Sequence, residues 1–380
     1  MLDRHGRALQ ADLQDLFARD ADHPLDDEAF DRYARRVLRY TLDHVPAYTA
    51  YCRARGISPE DPPHWGSVPG VPTAAFKELT LLAEGASAEA VFLTSGTTRG
   101  SQRRGAHHVA SLGLYRASLR PTFSAFLLPD GARLPFLSLM PAWDQLPDSS
   151  LAFMVSDVME AFGAEGSQVL ADGTGLDVRR LNDACQEAIR GGQPVVLLGT
   201  SAAFIHWLDA LDRPLRLPDG SRLMDTGGFK GRGRQFEPPE LRALYQERLG
   251  VPEHRCVNEY GMTELLSQRY DDVQRAPGGG TGGDVPPGTS DRWKAGPPWL
   301  RSVAVDPETL SPLPDGEPGI LRHFDLANLG SVPCVQTEDY GRVMNGRVLL
   351  EGRATGAPPR GCSIAMDLLL QARAGEAARG

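Results

Sequence analysis

The densest group of chemistry-bearing side chains is Leu93-Thr94-Ser95-Gly96-Thr97-Thr98-Arg99-Gly100-Ser101, directly after the apolar run 90–94. Hydroxyls interleaved with glycines make a loop rich in free N–H and O–H donors, which suits a polyphosphate. The G-x-x-x-x-G-K-[ST] pattern of a Walker A loop is absent. A second group, Asn258-Glu259-Tyr260-Gly261-Met262-Thr263-Glu264, closes the run 254–260. There Gly261 lets a ligand approach the backbone, and Thr263 and Glu264 suit a phosphate and its magnesium ion. Read alone, Glu264 is more often an acid at a helix start. A third group, Thr226-Gly227-Gly228-Phe229-Lys230-Gly231-Arg232, puts a lysine in a glycine-rich turn. In the fourth, Thr337-Glu338-Asp339-Tyr340-Gly341, Asp339 is placed to accept hydrogen bonds from two ribose hydroxyls, or to serve as a plain turn residue.

The elements needed to position these groups are visible in the periodicity. Apolar runs at 90–94, 134–140, 194–200 and 254–260 read as strands, and the segments near 108–126, 177–190, 201–211 and 237–249 as helices between them. Short apolar strands alternating with helices imply an α/β protein with a parallel or mixed sheet covered on both faces. Ala8–Ala18 and Asp27–Leu42 carry helical spacing, DPPHWGSVPGVPTAAFK reads as an extended connector, and GILRHFDLAN and GRVLLEGRATG read as strands. The chain ends in a short helical piece, MDLLLQARAGEAAR. PGGGTGGDVPPGTS (277–290) contains a formal G-x-G-x-x-G, but neither a strand before it nor a helix after it supports a dinucleotide fingerprint. His107 and His108 read either as a polar pair near the phosphate loop or, as is more common for such neighbours, as a pair at a helix N-terminus.

Charge and composition exclude several classes. Forty basic residues against 49 acidic ones leave a net charge of −9 over 380 residues, the wrong balance for a general nucleic-acid binder. A hydrophobic fraction of 41% excludes wholesale disorder. Mean hydropathy of −0.30 without a long apolar run argues against a membrane span, and the polar start argues for a cytoplasmic protein. Only Lys77, Lys230 and Lys294 are lysines, so lysine is a rare choice in this chain. The five cysteines form no C-x-x-C pair, which argues against a zinc site or a disulfide framework. Cys362 stands apart: Gly361 beside it gives access, and Arg360 favours a thiolate. No G-x-S-x-G elbow supports a hydrolase.

In this order the segments resemble the adenylate-forming superfamily of acyl-CoA synthetases and related ligases. Val71-Pro72-Thr73-Ala74-Ala75-Phe76-Lys77, Thr94–Thr98, Thr226–Lys230, Glu259–Glu264 with Ser267-Gln268, and Arg360-Gly361-Cys362-Ser363 narrow the resemblance to the LuxE-type acyl-protein synthetases. It implies an α/β adenylate-forming large domain with a truncated C-terminal domain: a helical segment 1–45, a catalytic domain 46–350, and a tail 351–380 with the acceptor cysteine.

The activity so implied is ATP- and Mg²⁺-dependent conversion of a fatty or other carboxylic acid to an acyl-adenylate. Transfer to Cys362 as a thioester follows, for delivery to an acyl-processing reductase or acyltransferase. Thr94, Ser95, Gly96, Thr97 and Thr98 would form the phosphate loop. Gly227 and Gly228 would flank the adenine, and Tyr260, Gly261 and Thr263 would line the adenylate. Glu264 would hold Mg²⁺ and Asp339 the ribose. Lys230 is a candidate cation for the α-phosphate, with Lys77 an alternative. Where the superfamily loop continues Gly-x-Pro-Lys, this chain has Arg99-Gly100-Ser101-Gln102-Arg103-Arg104, and no lysine follows Lys294 to stand in for the mobile-domain lysine. The rival readings are a ligase that hands the acyl group to CoA, a carrier protein or an amine, and a non-catalytic scaffold on this fold.

Overall fold

The computed structural model describes residues 2–19, 21, 24–95, 103–227, 236–275, 292–353 and 360–377. The chain divides into two compact units, one of residues 1–121, 262–267 and 295–380, the other of 122–261 and 268–294. The segments 1–45 and 351–380, set apart by the sequence reading, both fall in the first unit.

The second unit holds six hydrogen-bonded strands in the order Arg269–Asp271, Cys256–Tyr260, Arg222–Thr226, Val196–Thr200, Phe136–Ser138, Gln168–Val169. All neighbours are parallel except the first pair. Parallel neighbours need crossovers, and helices Ser150–Phe162, Val178–Gly191, Ser201–Asp209 and Pro238–Leu249 supply them. The sequence signals are local: Thr200 ends a strand and accepts from the Ala203 amide at 3.1 Å, so one residue both closes the strand and caps the next helix. Leu197, Leu223, Phe204, Trp207 and Leu249 fill the core between helices and sheet. Each such side chain contributes about 2 kcal/mol by leaving water.

The first unit carries the antiparallel strands Leu300–Val305, Pro318–Asp325, Cys334–Met344 and Arg347–Arg353. The two-residue strand Val71–Pro72 joins the third in parallel, with Val71 opposite Val335 and Pro72 opposite Gln336. The connector expected to be extended therefore holds a strand, flanked by 3-10 turns at Trp65–Ser67 and Thr73–Lys77. Asn345 and Gly346, both at positive φ, close a two-residue hairpin loop between Met344 and Arg347. Helices Arg4–Phe17 and Asp27–His44 begin at Asp3 and Asp26, whose carboxylates accept from Gly6 and Ala29.

Two local expectations change. His107 and His108 lie on the strand Ala106–Val109, paired with Ala90–Leu93, and not at a helix start; the following helix begins at Leu112. The final helix spans Arg360–Ala377, so Cys362 is in its first turn and not in a flexible tail. Among the described residues no helix is long and apolar enough to cross a membrane.

Candidate active site

In the second unit the parallel strands deliver their carboxyl ends side by side. Glu259 is opposite Thr226, so Gly227 and Tyr260-Gly261 leave the sheet as neighbours. This is where α/β sheets bind ligands. Gly227 has φ +86°, a conformation that glycine adopts without strain, and a Cβ there would meet nothing within 4 Å. Gly261 answers to a different constraint, because a Cβ would run into the Glu259 carboxylate. Glu259 is buried, accepts from the Thr226 hydroxyl, and is pushed up to about 7 by burial against the pull of Thr226 and Lys294.

A polar network stands behind these strand ends. Lys294 Nζ donates to the Asn258 carbonyl at 3.0 Å, to Asn258 Oδ1 at 2.7 Å and to Asp271 Oδ1 at 2.9 Å. All three ammonium protons are used. Asn258 Nδ2 donates to Asp225 Oδ1 at 2.9 Å, while Asp225 Oδ2 accepts from Ser201 and Tyr245. Burial raises Asp225 despite these bonds; Asp271 stays below the carboxylate range because Lys294 and Arg292 offset its burial. The rare lysine singled out by composition is thus a buried brace in this unit. Neither Lys294 nor Asp271 was a site candidate; they are far from Asn258 in sequence, and only the scarcity of lysine pointed there.

In the first unit the loop Met262–Ser267 is pinned by three side chains that the motifs did not contain. His107 Nδ1 donates to the Thr263 carbonyl at 2.7 Å. Asn328 Nδ2 donates to the Glu264 carbonyl at 2.8 Å. Asp325 accepts from the Leu266 and Ser267 amides at 3.0 and 2.9 Å and from the Ser267 hydroxyl at 2.7 Å. Burial keeps His107 neutral at ordinary pH, down to about 4, and raises Asp325 to about 6. Thr263 and Glu264 are therefore held by their backbones, with the Glu264 side chain only 6% exposed.

At the root of the hydroxyl-rich loop, Thr94 and Gly105 exchange hydrogen bonds, Thr94 N to Gly105 O and Gly105 N to Thr94 Oγ1, both at 2.9 Å. Ser95 is exposed. Arg104 donates to the carbonyls of Thr94 at 2.6 Å and Leu93 at 3.0 Å, and Arg103 reaches Glu78 at 3.3 Å. The Arg104 contacts fasten the loop's return strand. Gly96, Thr97, Thr98, Gly228 and Lys230 lie outside the described residues. Lys77 ends the Thr73–Lys77 turn and is half-buried.

Three of the sequence motifs meet in one cleft of about 220 Å³ in the first unit. Pro72, Thr73 and Ala74 line one side, Gln336 and Glu338 the strand side, and Cys362, Ser363, Met366 and Asp367 the helix side. Cys362 is 5% exposed, packs on Val305 and Ile320, and its Sγ lies 4.0 Å from the Thr337 carbonyl oxygen. Burial, and secondarily the Glu338 charge, push its thiol up to about 11. The thiolate expected from a nearby Arg360 is thus not favoured: helix packing hides the sulfur, and its charged neighbour is an anion. Asp339, one residue on, is held by Arg353 at 2.9 Å.

No family model matches the chain. The fold is nonetheless similar to that of solved ligases. A 2-hydroxyisobutyryl-CoA ligase in the postadenylation state, in complex with 2-HIB-AMP, matches 87% of this chain over 69% of its own, at a TM-score of 0.61 and 14% identity. An open conformation of such a ligase, in complex with 2-HIB-AMP and CoA, matches 86% over 69%, at 0.60 and 14%. Part of the sequence is similar to long-chain-fatty-acid–luciferin-component ligases, in line with the LuxE-type resemblance of the motifs. The relative from Aliivibrio fischeri is 32% identical over 84 residues, 20% of this chain and 22% of that protein. The relative from Vibrio harveyi is 33% identical over 85 residues, with the same two shares. The match thus spans about a fifth of the length of these relatives.

Proposed function

We propose that this chain activates a carboxylic acid, a fatty acid by analogy with the relatives, with ATP and then loads the acyl group onto Cys362. In the first step a carboxylate oxygen bonds to the α-phosphorus and pyrophosphate leaves. In the second the Cys362 sulfur bonds to the acyl carbon, its proton departs, and AMP leaves with the electrons of the broken C–O bond. The observation that carries this reading is the cleft in which Cys362 meets the Val71–Lys77 segment and the Thr337–Gly341 strand.

The roles in this reading are those that the resemblance implies. Thr94 and Ser95 stand at the root of the phosphate loop that Gly96, Thr97 and Thr98 would complete. Gly227 with Gly228, and Tyr260-Gly261, are the turns for the adenine and adenylate. Thr263 supplies a hydroxyl to the phosphate, and Asp339, oriented by Arg353, accepts from the ribose. Lys230 is the candidate cation for the charge gathering on the α-phosphate. Among the described residues no three His, Cys, Asp or Glu side chains form a metal cage. The single carboxylate of Glu264 fits Mg²⁺, which is bound by one or two carboxylates plus substrate phosphates. When bound, Mg²⁺ supplies charge neutralisation to those phosphates.

The thioester would then be discharged to a reductase or acyltransferase. Intact-mass spectrometry after incubation with ATP, Mg²⁺ and a panel of carboxylic acids tests the reading. The expected result is a mass gain of acid minus water on the wild-type chain, sensitive to hydroxylamine, with pyrophosphate release but no gain for Cys362→Ser. A gain that persists in Cys362→Ser, or acyl transfer to added CoA with none to the chain, would sink it.

A further inference from the structure

Strand Cys334–Met344 presents its consecutive residues to opposite faces. Gln336 and Glu338 line the cleft with Cys362. Thr337, between them, donates its hydroxyl to the Leu321 carbonyl of the neighbouring strand at 2.8 Å, and Asp339 pairs with Arg353 on the other neighbouring strand. Two adjacent carboxylates are thus separated by the sheet itself. Asp339 is neutralised by a guanidinium. Glu338 faces a thiol in a cleft whose lining contains no arginine or lysine among the described residues.

The cleft holds a second sign of unfinished polar chemistry. Gln336 is 1% exposed; its amide nitrogen is used on the Leu321 and Thr337 carbonyls, yet its Oε1 has no hydrogen-bond partner among the described residues. A buried acceptor without a donor is costly unless a ligand or water completes it. A hydroxyl or thiol donor brought into the cleft would do so.

Cys362 enters any reaction as the thiol, since burial and a neighbouring anion both oppose the thiolate. Its proton must therefore leave during the transfer itself and not before it. We propose that Glu338 is the general base of the acyl-transfer step, accepting the Cys362 proton as the sulfur bonds to the acyl carbon. The S–H bond breaks toward a Glu338 oxygen, the S–C bond forms, and the C–O bond to phosphate breaks with AMP as leaving group. Base and nucleophile line the same cleft, and a high thiol value is no bar to transfer, because sulfur becomes acidic only as the new bond forms. Asp367, the other carboxylate lining the cleft, sits a turn further along the helix. A base there would leave the Glu338 charge as pure repulsion.

This inference rests on Cys362 as acceptor, and the experiment separates the two. Synthetic dodecanoyl-adenylate, added to the full chain, bypasses ATP, and single-turnover intact mass follows loading of Cys362. For Glu338→Gln, loading at pH 7 should fall about 10²-fold and then climb with hydroxide between pH 7 and 9. Glu338→Asp should fall between the two, and Asp367→Asn should load like wild type. Unfolding midpoints in urea identify any variant slowed by misfolding, and the Glu338→Asp rate and the wild-type pH profile then carry the test. Removing a mere repeller frees the thiolate, so Glu338→Gln loading as fast as wild type or faster overturns the proposal. A large loss confined to Asp367→Asn overturns it equally. A wild-type chain that takes no acyl group from the adenylate overturns the acceptor reading and this one with it.

Discussion

The two units handle buried charge in opposite ways. Behind the strand ends of the second unit, Asp225, Asn258, Asp271 and Lys294 spend nearly every donor and acceptor on one another. In the cleft of the first unit, Glu338, Gln336 and Cys362 leave capacity unspent among the described residues: an acceptor without a donor, a carboxylate without a cation, a thiol with only a weak contact at 4.0 Å. Saturated networks fix shape, because each member is expensive to strand. Unsaturated ones retain the freedom to take up a proton or a ligand. The difference divides the molecule into a part that should break on mutation and a part that should change its chemistry.

The largest stability effect is expected from Lys294→Met. It strands the Asn258 acceptors and removes one of the two cations on Asp271, and should cost about 3–5 kcal/mol in urea unfolding. A loss under 1 kcal/mol would show that the network is no brace. Next is Glu259→Gln. Burial raises Glu259 from 4.5 to about 7, so between these values the folded chain binds more protons than the unfolded one. Stability therefore falls as pH rises through that window, by about 2–3 kcal/mol from this group. Asp325, raised from 3.8 to about 6, adds a slope of the same sign lower down. Glu259→Gln should flatten the part between about pH 6 and 7 when unfolding is measured from pH 5 to 8; an unchanged slope would assign it elsewhere. The smallest effect is on the ion pair of the first unit. Arg353→Met removes the partner of Asp339, but the arginine side chain is 47% exposed, so solvent screens the pair and the loss should stay under about 1 kcal/mol. Activation should suffer more than folding: a rise in KM for ATP without a matching fall in melting temperature would sharpen the contrast.

Legibility followed the range of the interactions. The runs at 194–200 and 254–260 were readable as strands because a short apolar run is itself a local signal, and Val196–Thr200 and Cys256–Tyr260 match them closely. His107 misled because a histidine pair before a helical pattern looks like a cap. Its pairing with Phe92 across a hairpin and its bond to the Thr263 carbonyl, 156 residues on, have no local signature. The start of the last helix misled for a similar reason. Gly361 was read as giving access to Cys362, but it is where a Cβ would press on the Leu310 side chain and the Pro307 carbonyl oxygen. Of the site, the Thr226-Gly227 and Tyr260-Gly261 turns were legible as strand ends with glycine. Asp325, Asn328 and Lys294 were not, since a pinning residue is recognised only by what it pins.

The tight hairpin at Asn345-Gly346 starts a ladder with one spare residue. Counting back from it, the two strands run in step as far as Gly341 and Leu350 and then slip, so that Glu351 is skipped before Tyr340 meets Gly352 and Asp339 meets Arg353. A one-residue insertion in 340–344 would find its mate in Glu351 and leave Asp339 opposite Arg353. A one-residue deletion there would double the slip. Tolerance to a change of length is thus one-sided, set by the extra residue on the returning strand.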